Sequence, residues 1–158
     1  MSYFLYDGFV KDKLEEAQIP EIWETVESER LSTQELKKLN FVWALKYLKG
    51  KLFVNKSISK AIAVSRDGLG KWKTVTRSRE QAISIKLLDK LLENATFWKE
   101  VPLKKHDPNI EKVIYFRLNC RINGKNYTAI ITVIVYKSQN YHKYYHHYLD
   151  DFVSDSLK

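Results

Sequence analysis

The sequence predicts an α+β domain, with N-terminal helices and one long core helix packed on one face of an antiparallel sheet of about four strands. Three observations predict it. Ser32 with Glu35, and Ser78 with Gln81, are capping patterns that each open an apolar stripe of helical spacing. The second half of the chain carries β-branched and aromatic runs separated by turn signals. Between two of those runs stands Asn123-Gly124, the pair that a two-residue hairpin loop demands, because its type I′ turn needs positive φ at both central positions. A chain of 158 residues with 44% hydrophobic content suffices for one core. It divides into a helical extension over 1–50, acidic and then basic, and an α+β unit over 51–158, together one compact body.

In chain order, residues 9–30 show amphipathic helical spacing, interrupted where Pro20 bars Ile19 from the helical region. The helix opened at Ser32 carries Leu36, Leu39, Trp43 and Tyr47 and stops at Gly50. Leu52-Phe53-Val54 and the alternating Ile58–Val64 read as extended chain. From Ser65 to Ser78 the composition shifts to glycine, lysine and hydroxyls, and Gly68 and Gly70 predict a sharp basic loop suited to phosphate. It is neither a Walker A loop nor a dinucleotide fingerprint, since both need further glycines in register. The helix opened at Ser78 runs to about Ala95, with Ile85, Leu88 and Leu92 on its buried stripe. Phe97–Lys104 reads as a strand with Pro102 near an edge or end, and His106-Asp107-Pro108-Asn109 as a turn. The tyrosine-rich run from Tyr141 to Phe152 favours a final strand.

The hairpin over 112–136 is the firmest geometric expectation. A two-residue loop pairs Ile122 with Lys125 and therefore Arg117 with Ile130. One face then carries Ile114, Phe116, Leu118 and Cys120 opposite Tyr127, Ala129, Ile131 and Val133, and is core. The other carries Tyr115, Arg117, Asn119 and Arg121 opposite Asn126, Thr128, Ile130 and Thr132. An antiparallel sheet tolerates such an open face, and this one is cationic and rich in hydrogen-bonding groups.

Charge narrows the partners. Residues 1–31 hold eight acidic side chains against Lys11, Lys13 and Arg30, a net of −5; the whole chain is +8, so residues 32–158 carry +13. A basic body points to a polyanion, most simply nucleic acid, and the acidic leader to a cover for that surface or a docking point for a partner protein. The single cysteine, Cys120, leaves no disulfide framework and no cysteine-based zinc site, which suits the cytoplasm. No apolar run is long enough to span a membrane, and the first residues lack a basic signal-peptide n-region.

For chemistry, the concentration of three of the four histidines between 142 and 147 stands out. His142 and His146 at helical spacing could chelate a metal, but the general-base glutamate of the His-Glu-x-x-His pattern is missing, so no metal and no cofactor is expected. Metal-free RNA cleavage fits better. It needs one group to take the proton from the ribose 2′-OH, another to protonate the leaving 5′-oxygen, and cations around the phosphate. His106, His146 or His147 could move the protons. Lys71, Arg117, Thr74 and Thr76 could hold the phosphate. A surface of tyrosine and histidine without chemistry is the other reading.

The order of segments resembles a known family. Ile62-Ala-Val-Ser-Arg-Asp-Gly68-Leu-Gly-Lys71, a helix ending Leu92-Glu-Asn-Ala95, His106 ahead of a strand, Ile122-Asn-Gly-Lys-Asn-Tyr127 and Tyr145-His-His147-Tyr-Leu149 follow one another. This is similar to the large polyvalent protein-associated domains of phages and conjugative elements, which are grouped with the barnase–EndoU–colicin E5/D–RelE class of toxin-like RNases. The resemblance covers about residues 52–150. It implies a barnase/EndoU-like fold and a metal-independent endoribonuclease-like toxin or effector of a mobile element, leaving a 2′,3′-cyclic phosphate. By position it implies Lys71, His106, Arg117, Tyr127, Tyr145 and His147 as site residues. His106 and His147 would transfer protons, Lys71 and Arg117 would stabilise the phosphate, and Tyr145 would position the substrate. Thr74, Thr76, Tyr115, Arg121 and Tyr127 would line the RNA path. The expected partners are RNA and a neutralising antitoxin or immunity protein, with no membrane. The chain departs from the pattern at Trp72, where a short hydroxyl is usual, and at His146, where an acid is. The alternative function is a catalytically inactive nucleic-acid- or protein-binding module of the same fold.

Overall fold

A computed structural model describes residues 19–102, 108–138 and 141–151. Seven strands form one mixed sheet that curls into a half-barrel. The strands are β1 (Glu21–Ile22), β2 (Leu52–Asn55), β3 (Lys60–Ala63), β4 (Thr96–Pro102), β5 (Ile110–Ile122), β6 (Lys125–Tyr136) and β7 (Tyr141–Asp151). The helices are α1 (Thr33–Tyr47), α2 (Arg66–Val75), α3 (Arg79–Ser84) and α4 (Leu88–Asn94). The sheet order is β1-β5-β6-β7-β3-β2, with β4 paired to β5 beside β1.

The chain is α+β, but the expected plan of about four antiparallel strands under N-terminal helices and one long helix is wrong. Two parallel contacts enlarge the sheet: Glu21–Ile22 joins the end of β5 at Arg121–Ile122, and Ile62–Ala63 joins β7 at His142–Lys143. The expected helix over 9–30 lies partly outside the described residues. Within them it is replaced by β1 and a 3-10 turn at Ser28–Arg30. There the backbone of Glu24 donates to the Asn123 side chain (2.7 Å), and Asn123 N–H donates to Ile22 O (3.0 Å). The Arg79 guanidinium grips Glu24 and the Leu31 carbonyl, which ties this segment down. Pairing with β5 and that ion pair outweigh the weak helical propensity of residues flanking Pro20.

The predicted long core helix is divided. Ser78 caps it, its hydroxyl accepting from Gln81 N (3.1 Å), but the expected box is only half formed, because the Gln81 side chain bonds β7 instead, and a 3-10 turn at Ile85–Leu87 separates α3 from α4. Residues 81–85 are all buried, so this segment has no solvent face, and the turn lets its apolar side chains follow the curl of the sheet.

The predicted basic loop at 65–78 is also helical. Ser65 caps α2, accepting from Gly68 N (3.3 Å). Gly68 is not there to turn the chain: a Cβ at that position would stand 2.2 Å from the Tyr144 carbonyl oxygen. Glycine here allows a helix to lie directly on strand β7.

The hairpin register is as expected, Ile122 with Lys125 and Arg117 with Ile130. Asn123 and Gly124 take positive φ, 52° and 80°. Phe116, Ile131, Val133 and Tyr144 form the core with Trp72, Leu88, Leu91 and Leu92, joined by Ala44 of α1 and its C-cap Leu48.

Candidate functional site

Strand registers place side chains across the second sheet face in two rows. Lys99 pairs with Tyr115, Tyr115 with Thr132, and Thr132 with His146, one residue from each of β4, β5, β6 and β7. The neighbouring row is Thr96, Arg117, Ile130 and Tyr148. None of these residues belongs to the apolar clusters in which the helices pack. Thr128, Ile130 and Thr132 are nevertheless buried on β6, which lies between β5 and β7. The face is therefore a shallow polar floor on β6 with raised sides.

Two β-bulges build those sides. On β4 the register shifts between Phe97 and Lys99, leaving Trp98 as the extra residue. On β7 Tyr144 pairs with Val133 and His146 with Thr132, leaving Tyr145 extra. A bulge re-aims a side chain and changes which residues share a face. At each bulge an aromatic ring meets a cation. Lys99 Nζ lies 4.3 Å and Arg117 Cζ 4.9 Å from the Trp98 ring centre, and Lys99 is also 5.6 Å from that of Tyr115. Lys71 Nζ reaches from α2 to within 5.7 Å of the Tyr145 ring, and that ring is 5.1 Å from His146.

Ordinary alternation puts the adjacent His146 and His147 on opposite faces of β7, and the bulge sets which of them faces the core. His147 turns into the core, fully buried. Ser84 Oγ, which donates its one proton to Gln81 O (2.7 Å), accepts from His147 Nε2, and Tyr144 O–H donates to Nδ1, both at 2.7 Å. Both nitrogens are used and the ring is neutral; burial pushes its pKa down to about 3. Gln81 holds the backbone on either side, accepting from Leu149 N (2.8 Å) and donating to His147 O. A substrate cannot touch this ring, so the proton-transfer role expected for His147 has no geometric support: its place is structural.

His146 is on the polar face and half-buried. Its Nδ1 and the Thr132 hydroxyl across the register are buried without a hydrogen-bond partner. Burial, and then the nearby Lys71 charge, lower its pKa below the usual histidine value, which keeps the imidazole neutral and able to accept a proton.

The other expected site residues scatter. Arg117, Tyr115 and Arg121 share the polar face, with Arg121 Nε donating to Asn126 Oδ1 (2.9 Å). Lys71 and Tyr145 meet at the β7 side of it. Thr74 is exposed and donates within its helix to Gly70 O (3.0 Å). Thr76 is buried and donates to Trp72 O (2.7 Å), so a helix and not a phosphate holds it. Tyr127 lies on the core side, where burial raises its phenol. His106 lies outside the described residues. Trp98, Lys99 and Tyr148 were not anticipated, and only the aromatic-cation alternation of Phe97-Trp98-Lys99 hinted at them.

Other chemistries find little material. Among the described residues, no three His, Cys, Asp or Glu side chains converge as a metal would require. The Cys120 thiol is buried and pushed up to about 12, so it is no nucleophile near neutral pH. No helix among the described residues is long and apolar enough to cross a membrane.

A family model described as large polyvalent protein-associated domain 3 matches residues 32–148, which takes in α1 and the sheet from β2 into β7 but not β1. No curated protein and no solved structure matches the chain.

Proposed function

The chain belongs to the large polyvalent protein-associated domain 3 family of phages and mobile elements, and from that premise we propose that it acts on RNA across the polar face of its sheet. The observation that supports this most is the cross-strand row Lys99–Tyr115–Thr132–His146, flanked by Arg117 and Lys71. Among the described residues, none of Lys71, Lys99 and Arg117 takes part in an ion pair. Unpaired cations around a polar floor favour a polyanion.

The reaction is metal-independent cleavage by an effector of toxin type. A neutral imidazole at His146 removes the 2′-OH proton, the 2′-oxygen forms a bond to phosphorus, and the bond to the 5′-oxygen breaks. The product is a 2′,3′-cyclic phosphate and a 5′-hydroxyl that takes up a proton, with His106 the candidate donor. Lys71 and Arg117 face the phosphate oxygens. A neutralising partner would act by covering this face.

Burial of His147 favours a second reading. With that ring committed to the core, the chain could bind RNA and leave it intact. Incubation with total RNA in EDTA separates the two, using wild type, His146→Ala and His106→Ala. Cleavage abolished by His146→Ala supports the enzyme. Binding without product in the wild type supports the binding module, and an absence of both removes RNA from the account.

A further inference from the structure

We infer that Trp98, with Lys99 and Arg117, forms a subsite for an unpaired nucleobase and its adjoining phosphates, so that the strand bound here is single-stranded RNA and not duplex. The inference rests on the RNA reading above and specifies its substrate class.

Trp98 is the extra residue of the β4 bulge, and it remains 39% exposed on an edge strand whose every residue is exposed. A large aromatic in that position gains little from burial. It is held in place by what surrounds it: two cations within 5 Å of its ring centre, neither in an ion pair among the described residues. Two like charges at one ring repel one another, and an anion between them relieves that cost. Exposed π-surface offers something an anion alone does not use. A flat base stacking on the indole, with Lys99 and Arg117 drawn off the ring onto its phosphates, uses both features. An acidic peptide would neutralise the cations and leave the indole idle.

The far side of the face repeats the arrangement, with the bulge aromatic Tyr145 beside Lys71. Three strand steps separate the two, about 14 Å at ~4.8 Å per step. The bound strand thus crosses the sheet from β4 to β7, with its sugar–phosphate path over Tyr115, Thr132 and His146. A duplex keeps its bases stacked on one another and cannot offer one to Trp98.

The test is competition binding to a labelled single-stranded RNA of about a dozen nucleotides, near the upper site sizes of single-strand binding folds. Competitors are the same RNA as a duplex and inorganic polyphosphate, and the proteins are wild type, Trp98→Ala and Trp98→Phe. Wild type should prefer the single strand. Trp98→Ala should weaken single-strand binding roughly 10- to 100-fold and leave polyphosphate affinity unchanged, with Trp98→Phe restoring most of the loss. Equal affinity for duplex and single strand would overturn the subsite, as would a Trp98→Ala loss shared equally by polyphosphate. If wild type binds polyphosphate but neither RNA, the RNA reading itself fails.

Discussion

His146 and His147 are neighbours in the chain and opposites in the fold. One stands half-buried on a polar face with a nitrogen unsatisfied; the other is sealed in the core with both nitrogens bonded. The same division runs through the sheet. Its helix-packed face is dry and interlocked, down to a glycine that lets α2 touch the Tyr144 backbone. The opposite face is a floor of short side chains edged by aromatics and cations. The lesson is that identical residue types one position apart can take opposite environments, and a single bulge decides which of them faces the core.

The comparison breaks most readily at His147. His147→Ala would leave the Tyr144 and Ser84 hydroxyls without their ring partner and open a cavity, a loss of about 3–5 kcal/mol in urea unfolding. His146→Ala should stay within about 1 kcal/mol of wild type. Equal losses would erase the distinction. Gly68→Ala tests the same face, since the new methyl meets a backbone oxygen; about 2–3 kcal/mol of destabilisation is expected in the same assay.

Acid should act on the buried histidine. The unfolded chain protonates His147 near 6.5, whereas the folded state resists to about 3, so the unfolded state gains protons first. Stability from this group is complete above pH 6.5 and falls by about 1.4 kcal/mol per unit as pH drops from there towards 3. Urea midpoints measured against pH should show that slope in wild type and a flatter one in His147→Gln.

Smaller effects belong to the polar face. Arg117→Ala should reduce RNA affinity about tenfold and lower the slope of log K against log salt by about 1, without altering the unfolding midpoint. If cleavage is observed, its acid limb should lie below the ordinary histidine value, because burial and then the Lys71 charge lower the His146 pKa. Lys71→Gln should move that acid limb back towards the ordinary histidine value, and an unmoved limb would detach Lys71 from His146.

The sequence made the hairpin legible because a two-residue loop admits one register, and register sets which side chains face the core. Both serine caps were legible for the same local reason, since Ser32 and Ser78 need only residues three positions on, but the Gln81 side chain bonds β7 and leaves the second box half formed. What escaped was non-local. Parallel pairing of Glu21–Ile22 and Ile62–Ala63 depends on strands far along the chain, and nothing near those residues announces it. The bulges at Trp98 and Tyr145 shift the alternation by one residue, so strict alternation cannot show that Tyr144 and His147 share the core face. Gly68 was visible as a glycine, but whether it served a turn or a close contact required β7 to be in place.

Photocrosslinking tests the central claim directly. A single-stranded RNA containing 4-thiouridine, irradiated with the full chain and mapped by mass spectrometry, reports which aromatic side chains the bases touch. Crosslinks at Trp98, Tyr115, Tyr145 or Tyr148 are predicted. Crosslinks confined to Trp43, Tyr47 and Trp23, aromatics remote from the Lys99–His146 row, would contradict it.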